Sequence, residues 1–146
     1  MATPAPLKFV FYIAAPPEKV WEGFVSNESN RILFMGAQLE SDWTPGSSIA
    51  WTGPGTDGKP IQYVHGKVLQ VDAPNTLQYT FVTGNSNLES RVTVELVSET
   101  EATKVTVTHD QWDEKDSTYS STDDGWPRIL SRLKTLIETG KTFKPH

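Results

Sequence analysis

Leu7, Phe9, Phe11 and Ile13 alternate with Lys8, Val10 and Tyr12, an aromatic and β-branched stretch of period two that predicts a strand. Ala14-Ala15-Pro16-Pro17 stops it. Pro17 suits the first turn of a helix, where a missing N–H leaves nothing unpaired. Glu18 beside it favours the positive helix end. Val20, Trp21 and Phe24 then follow at helical spacing, and a second short helix is predicted over Glu28–Phe34, ending near Gly36. The period next returns to two. Ala37, Leu39, Ser41 and Trp43 alternate with polar residues, Pro45-Gly46 turns the chain, and Ile49 and Trp51 share a face of the following strand. Gly53–Pro60 reads as a loop. Ile61–Val71 reads as a long strand whose alternation breaks, which places a bulge near Gly66. Asp72–Asn75 is a turn. Leu77, Tyr79 and Phe81 share one face, Gly84–Asn87 turns, and Val92, Val94 and Leu96 alternate. Ser98–Glu101 turns again before Val105, Val107 and His109.

The end of the chain switches to helical spacing. Trp126, Ile129, Leu130, Leu133, Leu136 and Ile137 form a wide apolar stripe, and Gly140 fits the position after the helix C-terminus. Arg128, Arg132 and Lys134 are assigned to the solvent side. Pro127 either sits in the first turn or kinks a helix that began near Ser117. The order is β-α-α, about six hairpin strands, then a long helix. That order predicts an α+β fold with an antiparallel sheet of about six or seven strands. One helix cannot cover so many strands flatly, so the sheet must curl around it. Where the curl is incomplete a cavity remains, and such cavities are the default ligand sites.

Composition narrows the partners. The 146 residues suffice for one domain with a core. A net charge of -5 argues against a nucleic-acid face and against attraction to anionic membranes. The absence of cysteine excludes disulfides, thiol catalysis and thiolate metal sites, and it fits a reducing cytoplasm. Met1–Pro6 lacks a charged region followed by an apolar one, so no signal peptide is expected, and no apolar run is long enough to span a bilayer.

Few residues suggest chemistry. Gly53-Pro-Gly-Thr-Asp-Gly58 matches a dinucleotide-loop spacing, but Lys59-Pro60 and a strand follow it instead of a helix, so it reads as a hairpin loop. Asp110, Asp113, Glu114, Asp116, Asp123 and Asp124 fail the calcium-loop pattern, since Trp112 and Lys115 occupy the third and sixth positions. They read as a solvated loop whose last carboxylates favour the start of the final helix. His65 and His109 lack the spacing of a zinc site, and no metal or cofactor is expected. His109 continues the inward face of Val105 and Val107, so its ring must find a partner. It is either a satisfied core histidine or a polar anchor in a cavity. Aromatic side chains with one polar atom suit cavity walls. The candidate wall is Trp51, Tyr63, Tyr79, Phe81, His109, Trp112, Trp126, Leu130 and Leu133, weighed against plain core packing. No serine-nucleophile, zinc-protease or phosphate-loop motif occurs, so no catalytic residue is assigned.

Three segments carry a family resemblance: Tyr12-Ile-Ala-Ala-Pro-Pro-Glu-Lys-Val-Trp21; Trp51-Thr-Gly with His65-Gly-Lys-Val68; and Gly125-Trp-Pro-Arg-Ile-Leu-Ser-Arg-Leu-Lys-Thr-Leu-Ile-Glu-Thr-Gly140. Over roughly Lys8 to Gly140 the chain resembles the START-like (SRPBCC) superfamily, in the branch similar to the activator of the heat-shock chaperone ATPase. The resemblance implies one helix-grip domain over residues 1–146, of the birch-pollen-allergen type. It includes lipid carriers, aromatic cyclases and hormone receptors and has no universal catalytic residue. Three functions follow as expectations: binding of a small apolar molecule, co-chaperone-like contact with a heat-shock chaperone, or cyclase- or hydrolase-type catalysis in the same cavity. Both a monomer and a homodimer paired through an edge strand fit the pattern.

Overall fold

The structure is a computed structural model, which describes residues 3–84 and 86–144. Met1, Ala2 and one residue of the expected Gly84–Asn87 turn, Asn85, lie outside the described residues. The elements run β1 (Leu7–Ile13), α1 (Pro17–Val25), α2 (Asn27–Leu33), β2 (Gln38–Ser41), β3 (Ser48–Pro54), β4 (Pro60–Asp72), β5 (Thr76–Thr83), β6 (Ser90–Ser98), β7 (Thr103–Asp110) and α3 (Tyr119–Thr139). The strands form one antiparallel sheet in the order β1-β7-β6-β5-β4-β3-β2. It is the helix-grip α+β architecture, with α3 held in the curve of the sheet. Val92, Val94, Val105 and Val107 of β6 and β7 are at most 1% exposed, and they meet Leu130, Leu133 and Ile137 of α3 in one core. Alternation forces this burial, because every second side chain of a strand faces the same way.

Close approaches fix how the layers meet. A Cβ on Gly23 of α1 would lie 2.7 Å from Ile137 Cδ1, so glycine lets α1 rest on α3 without moving the Ile137 and Leu133 side chains. A Cβ on Gly66 of β4 would fall 1.9 Å from the Thr80 carbonyl oxygen of β5. The bulge expected near Gly66 is not there. The register shifts instead on either side of it, at Trp51/Thr52 opposite Tyr63 and between Val68 and Gln70. At Gly66 no Cβ could fit against Thr80, and Lys67 N bonds the Thr80 hydroxyl there.

Other expectations are corrected. The strand expected through Trp43 ends at Ser41, and Trp43 has φ 57°, folding back on the core from a loop. Gly53 belongs to β3, where its missing side chain leaves room for the Tyr63 ring. Pro127 lies inside α3, whose first residue is Tyr119. Asp123 and Asp124 therefore sit past the first helical turn. Asp116, in the turn before the helix, holds its N-cap residue, accepting from Thr118 N at 2.9 Å and Thr118 Oγ1 at 2.6 Å. Gly140 ends the helix at φ 82°, as its C-terminal spacing implies.

Arg132 is the largest departure. It is only 4% exposed, and donates to the carbonyls of Leu33 (2.8 Å), Ile32 (2.9 Å) and Phe143 (2.8 Å). Its guanidinium thus closes the C-terminal end of α2, where carbonyls lack helical partners. Burial pulls its pKa down from the ordinary arginine value, while the three carbonyls compensate the desolvated charge.

Candidate functional site

Where β3, β4 and β5 curl away from α3, a cavity of about 390 Å³ remains. Trp51, Tyr63, Tyr79 and Phe81 form its sheet side; Trp126, Gly125 and Ile129 form its helix side; Phe34 closes the end beside α2. Trp51 packs at 5.4 Å between centroids from Tyr79 and 6.2 Å from Phe34, both tilted. Such tilted pairs are the favoured arrangement of aromatic quadrupoles.

Three of these rings have their polar atom held by a protein acceptor. Trp51 Nε1 donates to Asn30 Oδ1 at 2.9 Å. Asn30 is 2% exposed and is itself fixed by donating to the Phe24 and Ser26 carbonyls. Tyr63 donates to the Pro54 carbonyl at 2.6 Å. Trp126 Nε1 donates to His109 Nδ1 at 3.0 Å. Burial drives the Tyr79 pKa well above the usual phenol range, which keeps it neutral. With these donors engaged, Trp51, Tyr63 and Trp126 offer mainly their apolar faces to the cavity. A neighbouring cleft that reaches Met35 and Phe143 shares Phe34, Tyr63, Gly125 and Ile129 with the cavity.

His109 stands behind this wall. It is fully buried, stacked 4.2 Å from Trp112 and meeting Phe81 edge-on at 4.7 Å. An indole N–H can only donate, so His109 Nδ1 is the acceptor and Nε2 carries the proton. Nε2 donates to Ser90 Oγ at 2.7 Å, and the Ser90 hydroxyl in turn donates to the Phe81 carbonyl at 3.3 Å. The chain Trp126–His109–Ser90–Phe81 ties α3, β7, β6 and β5 together with each atom matched. Burial pushes the His109 pKa down to about 4, with Asp110 and Asp116 pulling weakly the other way. The ring is a neutral core histidine, satisfied as one of the two sequence readings required.

Of the nine residues expected at the wall, Trp51, Tyr63, Tyr79, Phe81 and Trp126 line the cavity. His109 and Trp112 lie in the layer behind it, and Trp112 Nε1 donates to the His109 carbonyl at 2.9 Å. Leu130 points to the core, and Leu133 borders a much smaller void of about 30 Å³ near Gly23 and Trp43. Sequence reasoning missed Phe34, Val64, Thr83, Thr118, Ser121, Thr122, Gly125 and Ile129. Thr83 continues the Tyr79–Phe81 face by strand parity, and Ser121, Thr122, Gly125 and Ile129 follow one another at helical spacing. Both signals were available in the sequence.

Among the described residues no helix is long and apolar enough to cross a membrane. A family model described as "Activator of Hsp90 ATPase homolog 1-like protein" matches residues 14–138. No curated protein matches the sequence. Among solved structures, ChR145 from Cytophaga hutchinsonii superposes with a TM-score of 0.77 at 29% identity, covering 96% of this chain and 98% of that one. An HSP90 activator from Plasmodium falciparum gives 0.74 at 18% identity, over 90% and 95% of the two chains. The Aha1 dimer from Colwellia psychrerythraea gives 0.73 at 19% identity, over 94% and 98%. At those last two identities the likeness is one of fold.

Proposed function

This chain belongs to the Activator of Hsp90 ATPase homolog 1-like family, and from that premise we propose that it binds a small apolar molecule in the cavity between β3–β5 and α3. The observation that carries this reading is the wall itself. About 390 Å³ of space is bordered mainly by apolar and aromatic side chains, and the hydrogen-bonding atoms of Trp51, Tyr63 and Trp126 are engaged with the protein. That volume lies within the usual range of ligand pockets. Its wall is mainly apolar, so an apolar occupant gains the free energy of taking that surface out of water.

Binding is favoured over reaction by the state of His109. Both its ring nitrogens are committed, its pKa is held to about 4, and Trp126 stands between it and the cavity. The test is fluorescence titration with N-phenyl-1-naphthylamine, a neutral apolar probe. Saturable binding to the wild type and its loss in Gly125→Leu, which places a side chain in the cavity, supports the reading. Equal binding by both proteins removes it.

A second reading is contact with a heat-shock chaperone, supported by the family description and by the fold shared with the Plasmodium falciparum activator. A rise in the ATPase rate of purified Hsp90 on titration with this protein supports it; a flat rate at saturating protein removes it.

A further inference from the structure

Two hydroxyls on the cavity wall are left without a protein partner. Tyr79 is only 5% exposed, yet among the described residues its Oη makes no hydrogen bond. Other tyrosines differ: Tyr63 donates to the Pro54 carbonyl at 2.6 Å and Tyr119 to the Ala5 carbonyl at 2.7 Å. Among the described residues the one unpartnered side-chain oxygen sealed away from all accessible space is Thr83 Oγ1. The Tyr79 hydroxyl is therefore open to space. That space is the cavity and the small void adjoining it, which shares Phe34, Trp51, Trp126 and Ile129 with it. Thr122 borders the cavity from α3. A helical threonine commonly donates to the carbonyl four residues back, as Thr135 does to Ser131 at 2.9 Å and Thr139 to Thr135 at 2.8 Å. For Thr122 that carbonyl belongs to Thr118, and it already accepts from Thr122 N at 2.9 Å and Ser121 Oγ at 3.0 Å. Both its lone pairs are taken, so the Thr122 hydroxyl keeps its proton for another acceptor.

Burial keeps Tyr79 protonated, and a phenol donates a hydrogen bond more readily than it accepts one. The partner missing from both hydroxyls is thus an acceptor. It is not an ion. Among the described residues no Lys, Arg, His, Asp or Glu side chain borders the cavity, so a charged ligand would lose its hydration without a counter-charge. We propose that Tyr79 anchors the ligand of this cavity, with Thr122 as a second donor from the helix side, and that the ligand is an uncharged, ring-bodied molecule carrying a carbonyl oxygen. Its rings lie against Trp51, Phe81 and Trp126, and its oxygen accepts from Tyr79 Oη. This assignment rests on the cavity being a ligand site.

Displacement of N-phenyl-1-naphthylamine at neutral pH tests it with three probes: 2-acetylnaphthalene, 2-isopropenylnaphthalene, in which a methylene replaces the carbonyl oxygen, and 2-naphthoate. Tyr79→Phe weakens the ketone about three- to tenfold, the value of one neutral hydrogen bond, and leaves the alkene unchanged. Thr122→Val weakens the ketone selectively as well, and 2-naphthoate binds the wild type least. The urea midpoint of Tyr79→Phe does not fall, because the lost hydroxyl holds nothing in the protein. Ketone and alkene affected equally by Tyr79→Phe, a fall in its urea midpoint, or tightest binding of 2-naphthoate overturns the anchor but leaves the cavity reading standing. An unchanged ketone affinity in Thr122→Val removes Thr122 from the site, and failure of both neutral naphthalenes to displace the bound amine overturns the ligand class. No binding of N-phenyl-1-naphthylamine by the wild type overturns the cavity reading, and the anchor with it.

Discussion

Gly125 sets stability against function, and replacing it should move the two in opposite directions. It lies seven residues into α3, far from either helix end. A glycine in a helix interior costs about 1 kcal/mol relative to alanine, because the unfolded chain gains freedom. The usual reason to tolerate that cost is steric, as at Gly23 and Gly66. At Gly125 a Cβ would meet nothing within 4 Å. The space it would enter belongs to the cavity and to the neighbouring cleft. Gly125→Ala should therefore stabilise the protein by about 1 kcal/mol, a rise in melting temperature of roughly 3–5 °C for a chain of this size. Gly125→Leu should add burial of an apolar side chain against Phe34, Tyr63 and Ile129, for a total gain of about 1–3 kcal/mol. It should also weaken N-phenyl-1-naphthylamine binding by tenfold or more. Urea unfolding followed by tryptophan fluorescence gives the first quantity, and probe titration of the same samples gives the second. A destabilised Gly125→Ala would refute the reasoning, since α3 would then not run as an unstrained helix through this residue. A stabilised Gly125→Leu with undiminished binding would place the ligand elsewhere.

Other consequences follow from the buried polar groups. Arg132→Met should cost about 2–4 kcal/mol by leaving the α2 carbonyls unpaired, and Arg132→Lys should recover only part of it, since an ammonium lacks the guanidinium fork; urea midpoints measure both. Thr83→Val should raise stability by about 1 kcal/mol, because it removes a buried hydroxyl that has no partner, and a fall of that size would show that the hydroxyl is satisfied. His109 gives a pH dependence with a definite sign. Its pKa is about 4 when folded against an ordinary 6.5, so the unfolded state binds the proton more readily. Its contribution is full above pH 6.5 and is lost as pH falls toward 4, amounting to about 3 kcal/mol at most. Urea midpoints between pH 7 and 4 should show this slope in the wild type, and a shallower one in His109→Phe.

The strand alternation and the apolar stripe of α3 were legible because they are periodic. Val92, Val94, Val105 and Val107 each occupy alternate positions, and burial leaves that pattern no other solution. What failed were properties set by a partner distant in sequence. Gly66 reads as a bulge glycine until Thr80 is seen pressing on it. Arg132 was assigned to solvent because of its charge. Yet Ile129 lies three residues before it and Leu136 four after, which puts it beside the apolar stripe. Only the α2 carbonyls, a hundred residues earlier in the chain, explain why a charge can be buried there. The aromatic wall was half legible for the same reason. Sequence parity places Trp51, Tyr79 and Phe81 on the inner face, but it cannot separate a ring that fills the core from one that borders space. His109 lies on the core side of that distinction because Trp126 of α3 packs against its ring, and Trp112 because it stacks on His109.

The most direct test of the central claim is native mass spectrometry of the protein purified from its own host, with any retained molecule identified and the Gly125→Leu variant measured in parallel. The cavity account predicts a stoichiometric, uncharged apolar molecule on the wild type and none on the variant. The same molecule retained equally by both proteins would contradict it.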